Sequence, residues 1–248
     1  MGTKFILTYL VLISFSAINL AQEKNSICKI DYDMTLLLRD RENYSASLLY
    51  NNNISQFSYS NLEKEDSKKK DDNNNIMIKY ADTLSKIIIN DKYNSKIFHF
   101  TEMGPSRNTV WIEEKTPELN WVLVEDTKVI GTLICSKAIT TFRGRNYTAW
   151  YSSEMVGGFG PWKLQGLPGI ILEAYDDKKE VVFRVSKITL PYVKEIIFDA
   201  RNIKTISREE KKEMVSKENQ KLKNFLISQQ ERGVSLEVEI INYDIEQD

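Results

Sequence analysis

The stretch TTFRGRNYTAWYSSEMVGGFGPWKLQGLPGIILEA, residues 140–174, decides how this chain folds. It holds six of the ten glycines and two of the four tryptophans in the 248-residue sequence. Clustered Gly and Pro interrupt both helices and strands, so residues 157–162 predict a loop. Strand-like runs lie before it, at 134–142 and 146–151, and after it, at 170–175. The stretch therefore predicts a β-rich fold that contains an irregular aromatic loop.

Two arginines lie where the first two of these runs meet, and the runs themselves predict a β-hairpin. Arg143 and Arg145 are two positions apart, so on one strand they would share a face. A pair on one face could bind a carboxylate or a phosphate. The alternative is a solvated face on which the arginines form surface salt bridges to Glu154 or Glu173.

A turn is predicted at the end of the loop. Pro168 presets φ for the first central position of a type II turn, and Gly169 can adopt the positive φ that the second position needs. We therefore expect Gly166, Pro168 and Gly169 to be structural turn residues, with a positive φ at Gly169.

Large aromatic side chains surround the loop at Trp150, Tyr151, Phe159 and Trp162. They could form an exposed platform on which a ligand stacks, or a plug that buries the rings at one end of the β-structure. The plug is the commoner arrangement. The candidate residues for binding a ligand or a partner in this region are Arg143, Arg145, Trp150, Glu154, Phe159, Trp162, Leu167 and Pro168.

The loop and the strand after it resemble the signature of the GLPGLI family, exported proteins of Bacteroidota. The family's name corresponds to residues 166–171, with Ile170 where the name has Leu. Trp121 and the segments 126–131 and 135–138 also fit the family pattern, and the resemblance extends over about residues 121–190. The chain departs from it after Gly131, where an aromatic residue is expected. The resemblance implies export and assigns no catalytic residues.

Three functions remain open at this stage. The chain could be a binding or accessory protein of the cell envelope, attached to an outer-membrane protein through the loop. It could be a periplasmic carrier of an apolar or glycan ligand. It could also be a hydrolase that uses the carboxylates of Glu154 and Glu173. The sequence also resembles the bowl-shaped N-terminal module of certain bacterial peptide N-glycanases, which implies a non-catalytic accessory role.

Residues 1–21 predict a signal peptide, because Lys4 precedes a short apolar run that ends in a small residue. Its removal would leave a single domain, residues 22–248, without a transmembrane span. The protein would then be periplasmic, associated with the outer membrane, or secreted. In an oxidising compartment Cys28 and Cys135 could form a disulfide; the alternative is two buried free thiols.

Several chemistries lack the residues that they need. The net charge of −1 supplies no basic stripe for a nucleic-acid partner. His99 is the only histidine, which leaves little for a Ser-His-Asp triad or a transition-metal site. Phosphate-binding and dinucleotide-binding glycine motifs are missing. The sequence therefore predicts no catalytic residue, no metal and no cofactor.

The whole pattern predicts a mainly β fold with a minor α part: a curved antiparallel sheet or open half-barrel with one long C-terminal helix. The polar residues 61–75 predict a flexible loop. A tight turn is predicted at 126–128. Ser207 and Glu210 form a capping box that starts the helix, which is expected to reach about residue 230. Residues 236–242 predict a closing strand.

Overall fold

The computed structural model describes residues 27–38, 40–63, 67–70, 76–79, 84–103, 108–228 and 245–246. The predicted signal peptide and the predicted closing strand lie outside the described residues. So do parts of the predicted polar loop, residues 64–66 and 71–75.

One large curved sheet dominates the described part of the chain, as the sequence predicts. The strands are β1 (Ile27–Leu37), β2 (Arg41–Tyr50), β3 (Ile54–Asn61), β4 (Ser67–Lys70), β5 (Ile76–Lys79), β6 (Lys86–Asp91), β7 (Lys96–Met103), β8 (Asn108–Lys115), β9 (Val122–Ile130), β10 (Leu133–Phe142), β11 (Arg145–Ser152), β12 (Ile170–Asp176), β13 (Val181–Tyr192) and β14 (Thr205–Ile206). The strand order of the large sheet is β14-β8-β7-β6-β3-β2-β1-β13-β12-β11-β10-β9, and β4 and β5 form a separate two-stranded sheet. Neighbouring strands are antiparallel except for β14 and β8.

Alternation of apolar and polar residues gives the sheet one buried face. In β1, Ile30, Tyr32 and Met34 are at most 1% exposed, whereas the side chains between them are more accessible. Successive side chains of a strand point to opposite faces, so this pattern places every second residue in the core. The Tyr32 hydroxyl also donates to the backbone oxygen of Ile171 at 2.6 Å, which joins β1 to β12 across the core.

The predicted central hairpin is confirmed as β10 and β11. Phe142 and Arg145 are directly paired, so the connection consists of Arg143 and Gly144 alone. Their φ angles are 50° and 76°. Two consecutive positive φ values match the twist of a two-residue hairpin, and glycine adopts such a value without steric cost.

Two local predictions are wrong. The turn expected at 126–128 is instead an irregularity within a continuous β9: Thr127 pairs with Ser136, but Val124 pairs with the next residue, Lys137. The chain reverses later, at Gly131. In the stretch predicted as a flexible polar loop, residues 67–70 form β4 and pair with β5.

The long helix α1 spans Arg208–Ser228, and its capping box is confirmed. The backbone amide of Glu210 donates to Ser207 Oγ at 3.0 Å, and the amide of Ser207 donates to Glu210 Oε2 at 2.6 Å. The helix has no buried residue and packs beside β7 and β8. Within the described part of the chain, no helix combines the length and the apolar character that a membrane crossing requires.

Candidate functional site

The loop between β11 and β12, residues 153–169 and here called the plug loop, lies on the buried face of the sheet. Phe159 is 1% exposed and Trp162 is 4% exposed. The Phe159 ring lies 6.1 Å from Tyr50, and the Trp162 ring lies 5.4 Å from Phe142 and 6.2 Å from Tyr147, measured between ring centroids. For Phe159 and Trp162, the plug interpretation is therefore confirmed and the ligand platform is wrong.

Two of the three predicted turn residues of the plug loop reach solvent, and the third, Gly169, is buried. Gly166 and Pro168 are exposed, whereas Leu167 between them is buried. The Gly166 amide donates to the oxygen of Gly158 at 2.8 Å, which closes the loop on itself. Of the predicted binding residues in this loop, Phe159, Trp162 and Leu167 are thus part of the core, and Glu154 and Pro168 remain accessible.

The prediction of a positive φ at Gly169 is wrong. The positive value lies at Gly166, where φ is 91°. Gly169 is required for a different reason: a Cβ built on it would lie 2.1 Å from the backbone oxygen of Ser152. Glycine is therefore needed at position 169 because the backbone of Ser152 lies so close, and not because of the geometry of a turn.

Gln165 connects the plug loop to two other parts of the chain. Its Oε1 accepts from Asn90 Nδ2 of β6 at 2.9 Å, and its Nε2 donates to the oxygen of Pro117 at 3.1 Å. Its backbone oxygen accepts from the indole nitrogen of Trp121 at 2.7 Å. These bonds fix the loop against the segment that links β8 to β9, so strands far apart in the sheet order are held together by the loop.

The two arginines do not share a strand face, which corrects the sequence prediction. Arg143 lies in the hairpin turn and binds Glu114 at 2.6 Å. Arg145 is 4% exposed, and its Nη1 lies 2.7 Å from both Asp176 and Glu180. The predicted surface partners are also wrong. Glu154 accepts from the Ile134 amide at 3.1 Å, and Glu173 pairs with Lys128 at 2.6 Å.

Charged side chains from five separate parts of the sequence meet beside the plug loop. Lys163 binds Glu114 and, at 2.6 Å, Glu246. Arg208 lies 2.7 Å from Glu246, and Arg143 Nε lies 4.0 Å from it. All five side chains are at most 16% exposed. We call this group, Glu114, Arg143, Lys163, Arg208 and Glu246, the ionic cluster.

The ionic cluster holds Glu246 in its charged form. Burial opposes ionisation of this carboxyl group, but the charges and hydrogen bonds of Lys163, Arg208 and Arg143 outweigh it and lower its pKa to about 2. Sequence analysis missed the cluster because its members lie up to 132 positions apart (246 − 114). The one local signal was Lys163, a charged residue inside an otherwise apolar and glycine-rich segment.

The single histidine lies on the same side of β7 as the buried Ile97. Burial, followed by the charges of Lys163, Lys211 and Lys86, holds the pKa of His99 well below its usual value. Its Nε2 is buried and makes no hydrogen bond within the described part of the chain. His99 is therefore a neutral side chain in the folded protein.

Trp150 lies in a second group of side chains, on strands β9 to β12. The Lys128 ammonium lies 4.4 Å from the Trp150 ring centroid and binds Glu173. Lys137 lies 5.8 Å from the same ring and binds Asp126 at 2.8 Å. Lysines thus cover the half-buried indole of Trp150, and each has a carboxylate partner.

The disulfide considered for Cys28 and Cys135 does not form. Both cysteines are buried free thiols, which confirms the alternative interpretation. Burial raises the pKa of each thiol.

The last two strands at one end of the sheet, β10 and β9, expose apolar side chains. Val129 and Ile134 are direct partners across β9 and β10, and so are Val122 and Ile139. They are 67%, 62%, 60% and 40% exposed, and Leu123 is 59% exposed. We call β9 together with these five side chains the apolar edge.

Comparisons with known proteins reveal a similar fold but no matching family. No protein-family model matches the sequence, and neither does any curated protein. Solved structures with a similar fold include PNGF-II in space group C2 and PNGF-II in space group P21. Each has a TM-score of 0.53 and 14% identity over 78% of this chain. The chain spans only about a third of their length, 33% and 34%, so the similarity shows the fold alone.

No group of three or more His, Cys, Asp and Glu side chains in the described ranges is arranged to hold a metal ion.

Proposed function

We propose that this chain is an exported, non-catalytic binding or accessory protein of the cell envelope, and that it binds a partner polypeptide along the apolar edge. The observation that carries the proposal is the exposure of directly paired apolar side chains on the two outermost strands. Apolar side chains that stay exposed at a sheet edge are a feature of protein interaction sites.

The position of β9 supports an extended polypeptide as the partner. β9 is the last strand in the sheet order, so one side of its backbone has no partner strand within the described residues. An added strand would satisfy these amides and carbonyls and would pack its side chains on Val129 and Ile134. The irregularity near Glu125 divides the edge into short segments, and such features limit unspecific edge-to-edge pairing.

Export and an envelope location are supported by the predicted signal peptide and by the resemblance to the GLPGLI family. The similarity to PNGF-II also fits an accessory role, because there the shared fold accounts for about a third of a longer chain. The resemblance to the N-terminal module of peptide N-glycanases favours the same interpretation.

The two other functions fit the geometry less well. A carrier needs a concave face that is free for its ligand, whereas Phe159 and Trp162 pack into this face. A hydrolase needs two carboxylates directed at one substrate. Glu154 is bound to a backbone amide and Glu173 to Lys128, so each carboxylate has a structural partner of its own.

Site-specific cross-linking tests the proposal. A photoreactive side chain at position 129 of the full chain should cross-link one envelope polypeptide, and that purified polypeptide should protect the β9 amides from hydrogen exchange. Ile134→Lys should abolish both effects. The matched control, Ile197→Lys, changes a side chain that is 91% exposed outside the apolar edge and should retain both.

Protection at other strands or at α1 instead of β9 would contradict the proposal, as would equal cross-linking by the Ile134→Lys and Ile197→Lys variants. A lipid or glycan that copurifies in about equimolar amount and survives the Ile134→Lys substitution would support the carrier instead.

A further inference from the structure

We propose that the partner polypeptide at the apolar edge is an extended segment in which a lysine or arginine lies between apolar residues, and that the carboxylates of Glu125 and Glu154 select it. This inference rests on the proposed function, because it specifies the partner of the same edge. It adds a charge requirement that the apolar side chains alone do not impose.

The exposed apolar pairs of the edge point to both faces of the sheet. Ile134 and Ile139 are five positions apart in β10, and the register of β10 skips no residue between them. An odd spacing places two side chains of a strand on opposite faces. Val129 and Val122, their direct partners, therefore lie on opposite faces too. A flat partner surface would cover one pair, whereas the alternating side chains of an added strand would cover both.

The lysines near the edge already have partners within the chain. Lys128 of β9 lies 2.6 Å from Glu173, and Lys137 of β10 lies 2.8 Å from Asp126. The two ammonium groups also lie over the Trp150 ring, at 4.4 and 5.8 Å from its centroid. A partner that docks on β9 therefore meets two lysines whose charges are compensated.

Two carboxylates at the edge lack this compensation. Glu125 and Glu154 are exposed, and neither belongs to an ion pair in the part of the chain that the structure describes. Glu125 lies on β9 itself, two residues after Leu123. Glu154 Oε1 accepts from the Ile134 amide at 3.1 Å, which places this carboxylate beside the pair of Val129 and Ile134. A hydrogen bond from a backbone amide leaves the negative charge of Glu154 in place.

The charges of these side chains favour a basic partner. The two lysines face four carboxylates, so the six side chains carry a net charge of 2 − 4 = −2. A second copy of the chain would bring this charge against itself, and like charges across an interface are unfavourable. A lysine or arginine of another polypeptide would instead pair with Glu125 or Glu154 and leave both internal ion pairs intact.

The order of these groups along β9 sets the pattern of the partner. Val122 and Leu123 begin the nine-residue strand, and Val129 is its last residue but one. Glu125 lies between them, in the irregularity where β9 has residues without a direct partner on β10. A partner strand of about nine residues would therefore place its basic residue near the middle and its apolar residues on both sides.

Strand peptides added to the full chain test the inference. The probes are the nonapeptides TVTVRVTVT, TVTVQVTVT and TVTVEVTVT, each with blocked ends and the same polyethylene glycol tail for solubility. At low salt the arginine peptide should bind at least about fivefold more tightly than the glutamate peptide, with the glutamine peptide between them. The difference should shrink as the ionic strength rises, because salt screens exposed charges. Amide hydrogen exchange should show that bound peptide protects β9.

A charge reversal tests the role of the carboxylate on β9. Glu125→Lys should remove the preference for the arginine peptide. The matched control, Glu195→Lys, reverses an exposed charge outside the apolar edge and should retain the preference. Cooperative thermal melting verifies that both variants are folded.

The possible failures are distinguishable. Equal affinity of the three peptides, with β9 protected by each, would overturn this inference and leave the proposed function intact. An arginine preference that survives Glu125→Lys as well as Glu195→Lys would do the same. If no peptide protected β9, the result would contradict this inference and the proposed function together. The peptide comparison uses the unaltered chain, so it does not depend on the folding of a variant.

Discussion

Gly169 packs directly against the backbone carbonyl of Ser152. A Cβ on Gly169 would lie 2.1 Å from that oxygen and 2.8 Å from the amide nitrogen of Ser153. This contact is where the plug loop returns to the sheet, one residue before β12 begins at Ile170. The glycine thus permits the end of the loop to approach the end of β11.

Gly169→Ala should lower the free energy of unfolding by at least about 3 kcal/mol, because the added methyl group would force backbone atoms apart. Chemical denaturation of the full chain measures the change. Gly131→Ala is the control: φ is +62° there, but nothing lies within 4 Å of the added carbon, so a cost of about 1 kcal/mol is expected. A Gly169→Ala variant that is at least as stable as Gly131→Ala would refute this account of the glycine.

Arg145→Met should destabilise the protein by about 3–5 kcal/mol, since it leaves the buried Asp176 without its cation. The Arg145 and Asp176 side chains are only 2% and 1% exposed. Arg201→Met is the matched control, because the Arg201 side chain is 88% exposed in its ion pair with Asp199, and its loss should destabilise the protein far less. If denaturation showed that Arg145→Met and Arg201→Met lower the free energy of unfolding equally, burial would not set the strength of the Arg145–Asp176 pair.

The thiols of Cys28 and Cys135 should react with a thiol reagent only after unfolding. Both are buried, and burial raises the pKa of each, so little of the reactive thiolate forms in the folded chain. Labelling with and without denaturant, followed by intact mass measurement, checks this. If the denatured, unreduced chain had no reactive thiol, the cysteines would be bonded and the free-thiol structure would be wrong.

The protein should lose stability in acid as the carboxylate of Glu246 becomes protonated. Its pKa is about 2 in the folded chain against an ordinary value of 4.5, so its contribution is complete above pH 4.5 and is lost as the pH falls towards 2. The difference corresponds to about 3 kcal/mol. Melting temperatures across this range should drop more steeply for the unaltered chain than for Glu246→Gln. Parallel curves for the two proteins would contradict the assignment.

Local sequence patterns predicted much of the architecture. The alternation in β1 and the capping box of Ser207 and Glu210 are short-range signals, and both match the structure. The burial of Phe159 and Trp162 was also predictable, because large rings beside glycines most often fill a core. In each case the physical cause lies within a few residues of the pattern itself.

Long-range contacts set the features that the sequence did not reveal. Nothing near Arg145 indicates that Asp176 and Glu180 are its partners, because the strand register brings them together. The need for glycine at position 169 depends on Ser152, a residue across the loop, and not on the local turn. Glu246 joins Lys163 only when the chain returns to the plug loop after α1.

The most direct test of the account is amide hydrogen exchange in the plug loop, because the central claim is that this loop is part of the folded core. The amides of Leu164 and Gly166 in the loop, and the amide of Ile171 in β12, are bonded to the loop oxygens of Pro161, Gly158 and Phe159, respectively. We predict that these three amides exchange only through global unfolding, as slowly as those of β1. Rapid exchange at all three while β1 stays protected would show that the loop is a mobile surface segment and would contradict the account.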